Sequence, residues 1–329
     1  MDDPVTVAIP VRNGGPDLDR ALGAVRAQRL DRPVELLVAD SGSTDGSLEV
    51  ARRHGASIVE IPAERFSHGG TRNLLARRAT GTHIAFLTQD AIPAGERWLA
   101  TLLDGFGAAA DVALVFGPYQ ARADASPIVR RELDEWFRSL SPDGTARVDR
   151  GLPAVTDADG VRRVFFTDAN ACIARSALDR VPFRDVAYAE DHLLARDMLA
   201  AGYAKVYRPD APVTHSHDYG TVEVFKRSFD EWRGLLEVHG VVASAGPVRG
   251  ALSVQRKVRD DVRYMRAHGA AGSELLRGVG ASATYHCARE LGAVVGARAD
   301  RLPAGVRARL SLEGRGGFRS VDGLEAASR

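Results

Sequence analysis

Phe86-Leu87-Thr88-Gln89-Asp90-Ala91 is an apolar strand pattern that stops on a carboxylate. Such a near-continuous apolar run is typical of a strand buried on both faces of a parallel sheet. The C-terminal ends of these strands open onto the edge where open α/β sheets bind ligands. Asp90 therefore stands where chemistry is expected. Upstream, Val5 to Pro10, Val34 to Ala39 and Ser57 to Ile61 read as strands, and Val112 to Gly117 as a fifth. Helical spacing fills Asp17 to Gln28, Ser47 to His54, Gly70 to Thr80 and Trp98 to Ala109. Strands separated by helices at this spacing form βαβ units. The expected fold is α/β, a mostly parallel central sheet flanked by helices.

Beyond Arg122 the pattern loosens. Glu132 to Leu140 reads as a helix, Ser141 to Gly144 as a loop and Val164 to Phe166 as a short strand. Between Arg122 and Val161 the composition suits a mobile lid. Asp191 to Ala201 reads as a helix ending at Gly202, a good stop position. Lys205 to Arg208 is a strand and Thr221 to His239 a helix. From Gly240 the composition shifts to Ala, Gly and Arg, with helices expected over Val248 to Ala267 and Gly272 to Ala297. The expected division is a main domain over 1–239, a helical C-terminal extension over 240–313 and a disordered tail over 314–329, where Gly314, Gly316 and Gly317 cluster.

The 329 residues suffice for a large core, and 44 basic against 43 acidic side chains leave a net charge of +1. No strongly basic field is available for phosphate backbones, so nucleic acid is not an expected partner. Cys172 and Cys287 form neither a disulfide framework nor a zinc cluster. No basic-then-apolar leader precedes the first strand, and no apolar run reaches membrane-spanning length. A cytoplasmic location is expected, with peripheral contact at the inner membrane face left open. Arg256, Lys257, Arg259, Arg263 and Arg266 make one C-terminal helix basic, which reads either as a solvated face or as contact with an anionic membrane or lipid phosphate.

Four constellations carry candidate chemistry. Asp40 ends a buried strand, ahead of the turn Ser41-Gly42-Ser43-Thr44-Asp45-Gly46, and its carboxylate can accept an imide N–H such as N3–H of a pyrimidine. Ser43, Thr44 and Asp45 read equally well as turn and cap residues. His68-Gly69-Gly70-Thr71-Arg72-Asn73 is a glycine-rich turn feeding a helix, where Arg72 and exposed amides suit a base or diphosphate. Thr88-Gln89-Asp90 offers oxygens for Mg2+ or Mn2+, with His215 or His217 as a further ligand. Glu190-Asp191 opens a helix; acids there complement the helix dipole, and a positioned carboxylate also serves as a general base.

Taken in order, these pieces resemble the inverting family 2 glycosyltransferases of the GT-A fold, the bacterial rhamnosyltransferase-like subgroup in particular. The matching runs are Val7 to Asn13, Val38 to Gly46, His68 to Asn73, Phe86 to Ala91, Asn170 to Arg175, Ala189 to Asp191 and Val213 to His217. The resemblance implies that Pro10, Arg12, Asp40, Arg72 and Gln89 bind the nucleotide. It implies that Asp90 and His217 hold a divalent cation on the diphosphate and that Asp191 deprotonates the acceptor. Phe166, Thr167, Asp168, Asn170 and Glu190 would lie near the donor sugar or acceptor. Thr88 stands where the family's first metal-site acid would be, and no Gln-x-x-Arg-Trp run of processive members is present, which implies single addition. The expected activity is transfer of a sugar, L-rhamnose from a dTDP donor as first choice and a UDP-sugar otherwise, to the hydroxyl of a sugar, a lipid-linked or a natural-product acceptor. A metal-dependent hydrolase built on His215, His217 and Asp218, and a silent nucleotide-sugar-binding homologue, are the alternatives.

Overall fold

The computed structural model describes residues 3–153, 155, 158–186, 188–241 and 247–313; the expected tail 314–329 lies outside them. Among the described residues the chain forms two compact units, one built from residues up to Gln120 and from Trp136 to His215, the other from Ala121 to Glu135 and from Ser216 to Glu313.

The first unit contains β1 (Val5–Val11), α1 (Gly15–Arg26), β2 (Val34–Asp40), α2 (Ser47–Arg53), β3 (Ser57–Glu60), α3 (His68–Arg78) and β4 (His83–Leu87) as consecutive βα repeats. After these come β5 (Ile92–Pro93), α4 (Trp98–Asp104), β6 (Val112–Phe116), β7 (Tyr119–Gln120) and α5 (Pro127–Leu140), of which only the residues from Trp136 belong to this unit. β8 (Arg147–Arg150), α6 (Ala158–Val164), β9 (Asn170–Ala174), α7 (Arg175–Leu178), α8 (Glu190–Ala200), β10 (Ala204–Tyr207) and β11 (Val213–Thr214) complete it. The main sheet runs β3-β2-β1-β4-β9-β6-β10-β8. β1, β2, β3 and β4 are parallel, as are β6 and β10, while β9 is antiparallel to both β4 and β6. Apart from the partly buried Val34, the β-branched and leucine side chains of β1, β2 and β4 are fully or almost fully buried, and Leu18, Leu22, Val25, Leu99 and Leu102 from α1 and α4 pack on them.

A second sheet, β5-β11-β7, hangs off the strand ends. Gly117 makes it possible: a Cβ there would lie 2.0 Å from the Ala211 carbonyl oxygen, so only glycine lets the end of β6 meet the turn that leads into β11.

Two expectations differ from the structure. Val164 to Phe166 is not a strand. α6 ends at Val164, and Phe165 and Phe166 wedge irregularly against Phe116, with Trp136 and Phe137 also on Phe165. A short apolar run cannot be told apart by periodicity from any other buried segment. The real strand starts at Asn170. The stretch read as a mobile lid holds α5 and also β8, which is paired with β10.

The second unit packs α9 (Thr221–His239), α10 (Pro247–Ala267), α11 (Gly272–Gly296) and α12 (Ala304–Leu310). Gly292 and Gly296 bring α11 against α9, since a Cβ on either would sit 2.3 Å from the Phe225 or the Phe229 carbonyl oxygen. Contacts group α9 with α11 and α10, whereas the composition boundary falls after α9, between His239 and Gly240. Among the described residues no helix is long and apolar enough to cross a membrane.

Candidate active site

The topology collects the expected residues at one edge. β1 and β2 end together, with Val11 opposite Asp40. β4 ends at Leu87 opposite Asn170, so Thr88 to Asp90 leave the sheet where Thr167 to Ala169 enter it.

Asp40 is 2% exposed, and its Oδ2 accepts the backbone N–H groups of Gly42 and Ser43, each at 3.0 Å. Its Oδ1 is buried with no hydrogen-bond partner among the described residues. One oxygen thus builds the turn, and the other keeps its accepting capacity. The rest of the turn is structural. Asn13 N–H donates to Ser43 Oγ at 2.9 Å, Thr44 N–H to Asn13 Oδ1 at 2.8 Å and Gly15 N–H to Asp45 Oδ2 at 2.9 Å. These bonds knit the loops after β1 and β2. Pro10 is half-buried in β1, and Arg12 is exposed just past its end. The Arg12 N–H donates to Gln89 Oε1 at 2.8 Å, so the Gln89 side chain fastens β1 to the loop after β4.

Arg72 is placed by α3, whose N-terminus is capped when Ser67 Oγ accepts the Gly70 N–H at 3.2 Å. Its guanidinium is buried, 2.7 Å from Asp168 and 3.0 Å from Glu190, and it also donates to the His68 carbonyl at 3.2 Å. Expected as a nucleotide contact, Arg72 instead ties together two of the acids expected near the sugars. Burial pushes the Asp168 carboxyl well above its usual range; Arg72 opposes that, and Glu190 and Asp191 add to it. Asp191 is half-buried in the first turn of α8, where its Oδ1 accepts the His192 N–H at 2.8 Å. Ala189, directly before this pair of acids, has φ +63° in the left-handed region. An alanine pays about 1–2 kcal/mol for that conformation, and such strain is found where a functional turn is over-determined by its surroundings.

Asn170 departs from the expected sugar contact. It is fully buried, its Oδ1 accepts from Trp98 Nε1 at 2.8 Å, and its Nδ2 donates to the carbonyls of Pro118 and Ala211 at 3.0 and 2.9 Å. The amide is committed to bracing the strand ends.

Asp90 meets His215. β11 pairs with β5 so that Thr214 faces Ile92, and His215 N–H donates to the Gln120 carbonyl at 2.9 Å. This brings His215 Nδ1 to 3.4 Å from Asp90 Oδ2. Tyr119 packs edge-on against the His215 ring at 4.9 Å, and its hydroxyl bonds Thr167 Oγ1. Tyr119 thereby links the imidazole to the loop carrying Asp168, a role with no local signature in the sequence. Thr88 Oγ1 is buried with no hydrogen-bond partner among the described residues. His217 lies two residues past His215 in the second unit, stacked on Tyr219.

A mostly parallel sheet with acids gathered at its C-terminal edge and the reversed strands β9 and β8 is the framework of a GT-A glycosyltransferase. The same fold is seen in the mannosyltransferase PcManGT from Pyrobaculum calidifontis, solved with GDP-Man and Mn2+, at TM-score 0.56 and 20% identity over 90% of this chain and 86% of that one. Glucosyl-3-phosphoglycerate synthase from Mycobacterium tuberculosis, solved with phosphoglyceric acid, gives TM-score 0.50 and 18% identity over 74% and 82%. The chain belongs to glycosyl transferase family 2, whose family model matches residues 6–173. The O-antigen chain rhamnosyltransferase RfbN of Salmonella typhimurium is 33% identical over 233 residues, 69% of this chain and 70% of that one. WbaN of Salmonella anatum, also an O-antigen chain rhamnosyltransferase, is 31% identical over 229 residues, 68% and 70%. This protein is therefore a rhamnosyltransferase-like glycosyltransferase, and the hydrolase alternative is set aside.

Proposed function

We propose that the enzyme transfers a single sugar, with inversion, from a pyrimidine nucleoside diphosphate donor, and that dTDP-L-rhamnose is the preferred donor. The observation that carries this reading is the cluster of Asp168 and Glu190 on Arg72, immediately ahead of Asp191 in the first turn of α8. Asp191 is the group that takes the proton of the acceptor hydroxyl as its oxygen attacks the anomeric carbon in line with the departing diphosphate. Arg72 fixes the neighbouring acids, and Asp191 stands beside them in the first turn of α8 as the proton acceptor. The free accepting lobe of Asp40 suits the imide N–H of uracil or thymine. Two relatives more than 30% identical to this chain are O-antigen chain rhamnosyltransferases.

A divalent cation suits the other side of the site. Asp90 and His215 present a carboxylate and an imidazole 3.4 Å apart, and Thr88 Oγ1 adds an unspent oxygen. Such a set fits Mg2+ or Mn2+. When bound, the ion would stabilise the negative charge that develops on the leaving diphosphate.

The test is a donor panel with product analysis. Turnover with dTDP-rhamnose or a UDP-sugar, giving the inverted anomer by NMR, is expected. Exclusive use of a purine-linked donor would refute the base assignment, and retention would refute the single-displacement mechanism. Donor binding by calorimetry without transfer to any sugar, lipid-linked or natural-product acceptor would mark a silent homologue.

A further inference from the structure

We infer that the outward face of α10 is a docking surface for an anionic lipid bilayer. The inward side of this helix is fully employed. Asp261 and Met265 are buried, and Asp261 accepts from Arg131, Ser282 and His286. Advancing by about 100° per residue, Val248, Leu252, Arg259, Arg263 and Arg266 fall on one narrow stripe, with Arg249 and Arg256 along its flank. Val248 is 72% and Leu252 58% exposed. The Arg259 and Arg263 side chains are 67% and 69% exposed.

Acidic compensation on this face is slight. Asp260 lies at its border, 28% exposed, and is shared between Arg263 at 3.2 Å and Arg259 at 4.0 Å. The whole chain is nearly neutral, with a net charge of +1, so three arginines on one stripe and two along its flank are a local concentration and not an overall surplus. Positive charge alone would suit any polyanion. The two aliphatic side chains, one turn apart on the same face, are what select a bilayer. They gain from leaving water for the acyl boundary, while arginine stems lie along that boundary and their guanidinium groups reach the lipid phosphates. A phosphate backbone offers nothing for Val248 and Leu252.

The test is vesicle flotation of the full-length protein. Phosphatidylcholine vesicles are compared with vesicles containing about one third phosphatidylglycerol, at low and high salt. Wild-type protein should float only with the anionic vesicles, and less so at high salt. The double variant Arg259→Glu/Arg263→Glu should lose at least about tenfold in partitioning. Val248→Ser/Leu252→Ser should lose several-fold. Because all four positions are exposed, circular dichroism and melting temperature should not change, and neither should turnover of a water-soluble acceptor. Equal flotation with both vesicle types, or an arginine double variant that floats like wild type, would overturn the inference. So would wild-type protein that binds a duplex oligonucleotide and ignores the vesicles.

Discussion

Two buried charge clusters, one in each unit, are built on opposite principles. In the sheet unit, one guanidinium, Arg72, faces Asp168 and Glu190, with Asp191 next along the helix. Acids outnumber the cation, and burial drives the Asp168 carboxyl upward. In the helical unit, Asp261 receives hydrogen bonds from His286, Ser282 and Arg131, while Glu132 is shared by Tyr285 and Arg289. Burial raises both of these carboxyls. The bonds to Asp261 more than offset it, and so do Arg289, Lys257 and His286 around Glu132, so both acids end below their usual range. A balanced cluster stabilises a fold. A cluster left with excess negative charge is less favourable for folding, and perturbed groups of that kind gather where protons are moved.

Breaking each cluster separates the two roles. Asp191→Asn should lower kcat by about 10²–10⁴-fold while calorimetric donor binding survives; near-normal turnover would remove Asp191 from the mechanism. Arg131→Met should cost about 3–5 kcal/mol in denaturant unfolding, because it leaves Asp261 buried and underpaired, yet kcat of the folded fraction should stay within about twofold of wild type. Arg72→Met should do the reverse, depressing kcat more strongly than stability.

Titration sharpens the contrast. Lys205 is fully buried beside Asp149 at 3.1 Å and donates to the Phe165 carbonyl at 2.6 Å. Burial lowers its ammonium to about 8, against the pull of Asp149. The unfolded chain therefore binds more protons between pH 8 and 10.5, and stability should rise with pH across that window. Lys205→Met should abolish the rise, which is of the order of 3–4 kcal/mol at about 1.4 kcal/mol per pKa unit. The two acidic clusters should respond with opposite signs. Asp261, depressed, contributes stability above pH 3.8 that is lost as pH falls below it. Asp168, raised, binds its proton more tightly in the folded state, so stability should fall as pH climbs above 3.8. Melting curves of Asp261→Asn and Asp168→Asn should each remove one of these slopes and keep the other. The smallest effect expected is that of Ala189→Gly, a gain of up to about 1 kcal/mol in unfolding free energy from relief of the left-handed alanine.

Strands β1, β2 and β4 were legible because their apolar runs are long and end on turn or acidic residues, and α10 and α11 because their helical spacing is sustained. The same local signal placed Asp40, Asp90 and Asp191 at element ends. What it did not contain was partnership across the chain. Nothing near Arg72 announces Asp168, 96 positions away, or Glu190, 118 positions away. The bracing role of Asn170 depends on Pro118 and Ala211, which come close only because Gly117 has no side chain. Phe165 and Phe166 looked like a strand because apolar character records burial and not backbone shape.

The reversal of β9 has a further consequence. The residues proposed for the nucleotide, from Pro10 to Gln89, precede that strand in the chain, as Thr167 and Asp168 do, whereas Glu190, Asp191 and His215 follow it. The proposed base-binding side is thus contained in the stretch ahead of β9, while the proposed proton acceptor Asp191 and the His215 arm of the proposed cation site lie beyond it. A chimera joined within β9 would therefore take the proposed nucleotide side from one parent and Asp191 with His215 from the other, which makes this backward strand the seam at which to ask whether donor preference travels with the N-terminal stretch.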